Sequence, residues 1–284
     1  GLVGPTSHGE ATPGKYRVRP VLVLFAVLLA GPGFHPAWAQ PDAPPGVPPS
    51  MASRLAADRL SAVQPGVYSS GDKDSFILHR YPGGKFLLRF SGASENFVLT
   101  MDRGSLGTKL LKYDTGATAL RVSVWGGLTL YTLANPGGLP ATRQGDAPPL
   151  PSLAVSLPEF QAALSDEASH LNYMQKVALK FSADPAVLSS DPETRGRAFE
   201  ALTNAALGIE RFLASAPTAR QSLIKRINSV KVAEGGKPTI SIVGQTLLVS
   251  FVPGEGHEGH ASSLAIQQEL GRLMAASAKD VAAK

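Results

Sequence analysis

Between residues 66 and 133, hydrophobic and polar positions alternate in short runs that turn residues separate. In the run "KFLLRF" (85–90), Phe86, Leu88 and Phe90 lie on one face of a strand, while the basic residues lie on the other. Glycine-containing turns such as "PGG" and "DTG" follow these runs at the spacing of β-hairpins. Because no helical stretch separates the runs, the pattern predicts short antiparallel strands that form a barrel or a small sandwich.

From residue 157 onwards, the hydrophobic positions recur at helical spacing. A first stripe from Phe160 to Phe181 predicts a long helix that ends before Asp184, which precedes a proline. Two apolar runs in "TISIVGQTLLVSF" predict a β-hairpin near residues 239–251. The predicted fold class is therefore α+β, with an N-terminal antiparallel β-barrel or small β-sandwich followed by a mostly helical domain with a small β-hairpin.

Two proline-rich stretches divide the chain. Residues 40–50 predict a flexible tether, and residues 135–156 predict a linker with little apolar periodicity. The predicted domains are thus an antiparallel β domain at 51–134 and a helical domain at 157–284.

The segment 15–39, "KYRVRPVLVLFAVLLAGPGFHPAWA", has the three parts of an export signal. Basic residues precede an apolar run at 21–30, and Ala37 and Ala39 place small side chains at the position that signal peptidase reads. An apolar helix of that length rises about 15 Å, half the thickness of a bilayer core. Residues 1–39 are therefore predicted to be a signal peptide with an N-terminal extension. It directs the protein through the general secretory route to the periplasm or the medium, with no permanent membrane span after cleavage.

Composition narrows the function classes. The net charge is +5, and basic residues are spread along the chain without a dense block, so a nucleic-acid partner is not expected. The chain has no cysteine, which excludes disulfides, thiolate nucleophiles and iron–sulfur ligation. We expect no cofactor.

The stretch "KYDTGATAL" contains the triplet Asp114-Thr115-Gly116, which carries a catalytic carboxylate in aspartic proteases. Such enzymes need two carboxylates that share a proton, and this chain has one triplet, so only a single-lobed dimer is available to it. The flanking segments have strand composition, and Asp and Gly both favour turns. We interpret the triplet as a hairpin turn, with Asp114 as the candidate catalytic residue of the protease alternative.

The stretch "EGHEGH" supplies the candidate metal ligands Glu255, His257, Glu258 and His260. Imidazole and carboxylate suit zinc, copper or nickel. The spacing, however, is His-x-x-His in a glycine-rich segment and not the spacing of a catalytic zinc helix. A solvated loop that leads into the last helix is the favoured interpretation, and a metal site is the alternative.

The segment 95–132 resembles an uncharacterised family of exported bacterial proteins, a domain of unknown function. The likeness rests on a strand with an acidic start at Glu95, a turn with Asp114 and Gly116, a Leu-Arg-Val strand, and a Gly-Gly-apolar-Thr end. It implies a β-rich module and supplies no catalytic residue.

These observations favour an exported, non-catalytic binding or protein-interaction module whose partner is a protein or a small ligand of the cell envelope. One alternative is an envelope hydrolase, acting either as an aspartic protease dimer through Asp114 or with a metal held by His257 and His260. A further alternative is a protease inhibitor.

Overall fold

The structure is a computed structural model that describes residues 62–71 and 74–282, with side chains up to residue 276. The predicted signal peptide with Ala37 and Ala39, and the predicted tether at 40–50, lie outside the described residues. Within the described part of the chain, no helix is both long enough and apolar enough to cross a membrane.

The first half of the described chain is a closed antiparallel barrel. Each strand pairs with the next one in sequence, and the last strand pairs with the first, which closes the barrel. The predicted antiparallel barrel is thereby confirmed. The eight strands are β1 (Gly66–Ser70), β2 (Asp74–Tyr81), β3 (Lys85–Phe90), β4 (Phe97–Arg103), β5 (Lys109–Lys112), β6 (Thr118–Val122), β7 (Leu128–Leu130) and β8 (Leu139–Gly145).

Alternation along the strands fills the barrel with apolar side chains. Phe76 and Leu78 of β2 are fully buried, and Phe76 stacks on Tyr68 of β1 with the ring centroids 5.2 Å apart. Each of the next five strands, β3 to β7, adds one leucine that is equally inaccessible: Leu88, Leu99, Leu111, Leu120 and Leu130. The barrel interior is therefore a packed core.

Strand β8 lies inside the segment 135–156 that the sequence assigns to a linker. It contains Pro140, and its polar residues Thr142, Arg143 and Gln144 are all exposed. Its place in the barrel comes from backbone pairing with β7 and β1, which a hydrophobic pattern does not reveal. The barrel therefore ends at Gly145, while the division into domains at 51–134 and 157–284 stays a prediction.

The second half combines helices with a four-stranded mixed sheet, which confirms the α+β class. Its sheet has the order β11-β12-β10-β9, where β12, β10 and β9 are parallel and the predicted hairpin supplies β11 and β12. The strands are β9 (Lys180–Ala183), β10 (Ser229–Glu234), β11 (Thr239–Val243) and β12 (Thr246–Phe251). The helices are α1 (Leu157–Gln175), α2 (Pro185–Leu188), α3 (Pro192–Ser215), α4 (Ala219–Arg226) and α5 (Ser263–Ala282).

The predicted long first helix is two elements. Helix α1 ends at Gln175, and Lys176 follows in the left-handed conformation with φ of 56°. Phe181, which continues the apolar stripe, belongs to the buried strand β9. A short run of apolar residues occurs both in buried strands and in buried helical turns, so the sequence pattern alone does not distinguish β9 from a continuation of the helix.

The barrel and the helical part pack against each other, and all the described residues belong to one compact unit. Leu264 of α5 packs against the apolar core of the barrel, and strand β4 contacts the turn that precedes α5. We call this contact region, with β4 and the β5–β6 turn on one side and α3, α5 and residues 253–262 on the other, the seam.

Candidate functional site

The "EGHEGH" stretch forms a compact 3-10 segment, Pro253–Gly259, between β12 and α5. Gly259 comes so close to Val252 that an added Cβ would lie 2.1 Å from the Val252 carbonyl oxygen, and the Val252 N–H donates to the Gly259 carbonyl at 2.7 Å. Gly256 has φ of 58°, in the region that favours glycine. The expectation of a solvated loop is therefore wrong, because these glycines allow tight packing.

Side chains of the barrel hold this segment from the other side. The Tyr81 hydroxyl accepts a hydrogen bond from the His257 backbone N–H at 3.1 Å and donates to the Glu255 carbonyl oxygen at 3.4 Å. The Tyr81 and His257 rings meet edge to face, and Lys85 forms an ion pair with Glu258. The backbone around both histidines is thus fixed by contacts with β2 and β3.

Both histidines converge on Glu200 of α3. Nδ1 of His257 lies 3.1 Å from Oε1 of Glu200, and Nε2 of His260 lies 3.2 Å from Oε2. The three side chains retain 15%, 4% and 13% exposure for His257, His260 and Glu200 respectively. One ligand atom from each residue lies within 4.8 Å of the other two. We call these three residues the His–Glu cluster.

The charge state of Glu200 follows from its surroundings. Burial raises the pKa of the Glu200 carboxyl, but hydrogen bonds from His257 and His260, together with the charges of both rings, lower that pKa far more. Arg197, one turn earlier on α3, also donates to Oε2 at 2.8 Å. The cluster is therefore built around an ionised carboxylate.

Asn204, one turn after Glu200, sets the proton position on His260. Its amide nitrogen lies 3.1 Å from the Ala261 carbonyl oxygen and 3.2 Å from Nδ1 of His260. Since the amide donates to both, Nδ1 accepts and the proton of a neutral His260 ring lies on Nε2, where it points at Glu200.

The other two candidate metal ligands lie outside the cluster. Glu255 is exposed, and its backbone carbonyl makes the contact with Tyr81. Glu258 pairs with Lys85 and lines a neighbouring cavity. Of the four residues singled out in the sequence, only His257 and His260 come together.

Asp114 lies in the turn between β5 and β6, as interpreted from the sequence, and Gly116 has φ of 84° there. The Gly116 N–H donates to the Tyr113 carbonyl oxygen at 2.9 Å and closes the turn. The Asp114 side chain reaches across the seam, where Oδ2 accepts from the Ser262 N–H at 2.9 Å and Oδ1 accepts from the Ser262 hydroxyl at 2.6 Å.

Glu95, which precedes β4, repeats this arrangement one residue further on. Its Oε1 accepts from the Ser263 N–H at 2.7 Å, and its Oε2 accepts from the Ser263 hydroxyl at 2.6 Å. Both carboxylates thus bind donors at the N-terminus of α5, where negative charge is favourable. We call Glu95, Asp114, Ser262 and Ser263 the carboxylate latch.

The two carboxylates of the latch differ in burial. Glu95 is buried, with 5% of its surface exposed, whereas Asp114 is exposed. Burial raises the pKa of Glu95, and the hydrogen bonds from Ser263 and the charges of Arg211 and His260 offset this only in part. The latch therefore contains one carboxyl group that is costly to ionise.

Two cavities flank the His–Glu cluster. One has a volume of about 320 Å³ and is lined by Asn96, Val98, Asp114, Glu258 and His260, among others. The other has a volume of about 150 Å³ and lies towards Glu95 and Arg197. Asn96 and both histidines of the cluster line both cavities.

Asn96 carries a polar atom that lacks a partner. Its Oδ1 is buried and, among the described side chains, is the one buried oxygen or nitrogen without a hydrogen bond. Since leaving a buried acceptor unpaired costs about 1–3 kcal/mol, such an atom in a cavity wall indicates a place for a donor group.

Sequence analysis did not find Glu200, Asn204 or Asn96. Glu200 and Asn204 are four residues apart, next to the buried residues Ala201 and Ala205, and Asn204 is 3% exposed. A polar pair at that spacing among core residues was an available signal. Their pairing with histidines almost sixty positions later depends on the tertiary fold.

Comparison with known families adds one finding. The family model described as "Domain of unknown function (DUF4908)" matches residues 50–270, so the chain belongs to this family. The resemblance predicted from residues 95–132 is confirmed and extends over both halves of the described fold. No curated protein and no solved structure matches the chain.

Proposed function

We propose that the protein is an exported, non-catalytic binding protein that holds a small polar ligand in the larger cavity of the seam. The observation that carries this proposal is Asn96, which lines that cavity and whose buried Oδ1 has no hydrogen-bond partner. A ligand N–H or O–H group at this atom would supply the missing hydrogen bond.

The cavity walls define the class of ligand. Its polar side includes Asn96, Asp114 and Glu258, whose side-chain oxygens accept hydrogen bonds. Val98, Pro238 and Ala265 provide apolar surface on other walls. The volume of about 320 Å³ is at the lower end of the range for small-molecule sites. We therefore infer a small ligand that carries hydroxyl or amine donors and a short apolar portion.

The barrel contributes to this site through its outer surface. Its interior is filled by Phe76, Leu88 and the other core residues, and β8 pairs with β1, so the described barrel has no free sheet edge between its first and last strands. A ligand position inside the barrel mouth or on a strand edge thus has less support than the seam.

Export is proposed from the sequence of residues 15–39, with a basic segment, an apolar run and small residues at Ala37 and Ala39. The test is expression of the chain in a bacterial host, followed by fractionation and mass spectrometry of the N-terminus. A periplasmic product that begins at Gln40 supports the proposal. A cytoplasmic product with an uncleaved segment contradicts it.

The binding proposal is tested by thermal denaturation in the presence of small polyols, amino sugars and amines. We expect at least one compound to raise the melting temperature of the wild-type protein, because a ligand that binds only the folded state stabilises it. The Asn96→Leu variant should lose this shift, while Asn172→Ala on the exposed surface of α1 should retain it.

A shift of the same size in Asn96→Leu would place the ligand elsewhere. If no compound shifts the melting temperature and no protein co-purifies with the chain, the binding proposal fails. The protease alternative has its own assay, in which cleavage of peptides at acidic pH would have to disappear in Asp114→Asn. The inhibitor alternative would require loss of activity in a panel of proteases incubated with the protein.

A further inference from the structure

We propose that Glu200, His257 and His260 form a binding site for a divalent transition-metal ion, and that Zn²⁺ is the ion that this set of ligands suits best. The proposal concerns the His–Glu cluster and does not depend on the small-ligand function proposed for the cavity. Two imidazoles and one carboxylate are a ligand set used by zinc sites that keep a fourth position open.

The distances within the cluster are close to those of a coordinated zinc ion. Zinc lies about 2.0–2.2 Å from nitrogen and oxygen ligands, so ligand atoms at the corners of a tetrahedron are about 3.3 Å apart. In the structure, Oε1 of Glu200 lies 3.1 Å from Nδ1 of His257, whereas the 3.2 Å contact of Nε2 of His260 is with Oε2. One ligand atom of each residue lies within 4.8 Å of the other two, so an ion requires these side chains to move closer together.

The local backbone explains why both rings point the same way. His257 lies within the 3-10 segment, and His260 follows its last residue. The turn between them brings the two rings, three positions apart in sequence, to a centroid separation of 6.5 Å, with His260 itself in an extended conformation (φ of −140°). The tight contact at Gly259 and the bond from His257 N–H to Tyr81 fix this turn before any ion binds.

The charges around the cluster are compatible with a cation. The Arg197 guanidinium donates to Oε2 of Glu200, which leaves Oε1 as the metal ligand. It also lies 3.4 Å from Nδ1 of His257, so its positive charge competes with an ion at this position. Glu258 and Asp114 line the cavity on one side, and Glu95 lines the cavity on the other.

Metal binding has one structural requirement at Asn204. An ion on Nε2 of His260 takes the position of the ring proton, which then lies on Nδ1. Asn204 must therefore turn its amide oxygen towards Nδ1 and give up its bond to the Ala261 carbonyl oxygen. An acceptor on the second ring nitrogen is the usual companion of a metal-bound histidine.

The fourth ligand would come from the cavities. Both histidines line the larger cavity and the smaller one, so a water molecule or a donor atom of a small ligand can reach the ion from either side. The site is therefore open, which is typical of zinc ions that bind exchangeable ligands.

The test is titration of the protein, purified after treatment with a chelator, with ZnCl₂ and with CoCl₂. We expect one ion per chain with a dissociation constant below about 10 μM, and a visible absorption band of tetrahedral Co²⁺. Weaker binding, or a stoichiometry other than one, would overturn the proposal. Elemental analysis of protein purified without chelator gives an independent measurement of the resident ion.

Variants locate the ion. Glu200→Gln and His257→Gln should each weaken Zn²⁺ binding by more than the roughly 10- to 100-fold that loss of an outer partner causes. The matched control is His170→Ala, because His170 also lies 3.1 Å from a glutamate, Glu210, but has no second histidine in that pair. Equal affinity in all three variants would overturn the assignment, and circular dichroism verifies that each variant folds.

Arg197→Gln separates a metal site from a purely structural network. Removing the neighbouring positive charge should tighten Zn²⁺ binding if the ion lies beside Glu200. An unchanged or weaker affinity in this variant contradicts the proposed position. This measurement uses Zn²⁺ alone, so its failure leaves the small-ligand proposal and its Asn96→Leu test unaffected.

Discussion

The barrel interior and the seam are a few residues apart in sequence but are built from different chemistry. The interior consists of aromatic and aliphatic side chains that are almost completely inaccessible. The seam contains carboxylates, imidazoles, amides and a guanidinium, and the Asp114–Ser262 and Glu95–Ser263 hydrogen bonds connect the two halves of the molecule. Packing thus stabilises one region, and specific hydrogen bonds define the other.

This difference indicates where function resides. Apolar burial stabilises a fold without requiring particular partners, whereas buried ionised groups return little net stability and need exact pairing. A seam held by apolar contacts alone would have joined the two halves as well. The presence of the His–Glu cluster and the carboxylate latch at the cavities therefore supports a role in binding.

The largest expected effect comes from the barrel interior. Phe76→Ala should lower the free energy of unfolding by about 3–5 kcal/mol, because it removes a fully buried ring that contacts Tyr68 and Phe90. Urea denaturation measures this change. Leu106→Ala is the control, since that side chain is 92% exposed and its loss should change stability by at most about 0.5 kcal/mol. Similar losses in both variants would contradict the description of the interior as the stabilising core.

The next effect separates the two halves of the latch. Glu95→Ala should cost about 1–3 kcal/mol, because it leaves the buried N–H and hydroxyl of Ser263 without this acceptor. Asp114→Ala removes the equivalent pair of hydrogen bonds from Ser262. Because Asp114 is exposed, water can replace it as the acceptor, so the free energy of unfolding should fall less than in Glu95→Ala. Denaturation of both variants in parallel gives the ranking, and the reverse order would contradict the role assigned to burial.

A smaller effect tests how firmly the barrel holds the histidine segment. Tyr81→Phe removes the hydroxyl that accepts from His257 N–H, and it should cost about 0.5–1.5 kcal/mol. Tyr173→Phe is the matched control, because Tyr173 is exposed on α1. Hydrogen exchange of the His257 amide should accelerate in Tyr81→Phe only; protection that stays unchanged would mean that this contact does not fix the segment.

The smallest effect is a pH dependence due to Glu95. Burial raises the pKa of Glu95 in the folded protein above its ordinary value of 4.5, so the folded state retains this proton where the unfolded chain has lost it. The protonated carboxyl of Glu95 therefore contributes to the free energy of unfolding in full below pH 4.5. This contribution is lost as the pH rises through the raised pKa of the folded state.

The measurement is the difference in unfolding free energy between the wild-type protein and Glu95→Gln across this pH window. Wild type should become less stable relative to the variant as the pH rises. Glu255→Gln, at an exposed residue, should show no such trend. If the wild-type protein instead becomes more stable than Glu95→Gln as the pH rises, the raised pKa of Glu95 is contradicted.

The sequence predicted the elements whose pattern is local. The strand at "KFLLRF", the hairpin at 239–251 and the turn at Asp114 all depend on neighbours within a few residues, and all three are present, although Leu87 on the second face of that strand is buried as well. Strand β8 was missed because its polar side chains and Pro140 give no hydrophobic period, and its pairing partners are distant in sequence.

The distinction between local and distant contacts also explains which site residues the sequence identified. His257 and His260 are close in the sequence and were identified from it. Glu200 lies near them only because α3 packs against the 3-10 segment. The glycine-rich sequence of this stretch favours a solvated loop. Gly259 instead allows an approach to Val252 that any side chain would block.

The pairing of β8 with β1 has a consequence for how the protein acquires its shape. Ser69 pairs with Thr142, so the barrel closes only when its first and last strands meet. Before that, the folding chain presents two open sheet edges at the same time, which are the sites where strands from other molecules add. A folding factor that covers these edges until β8 pairs with β1 would therefore matter more for this protein than for one whose barrel is completed by a local hairpin.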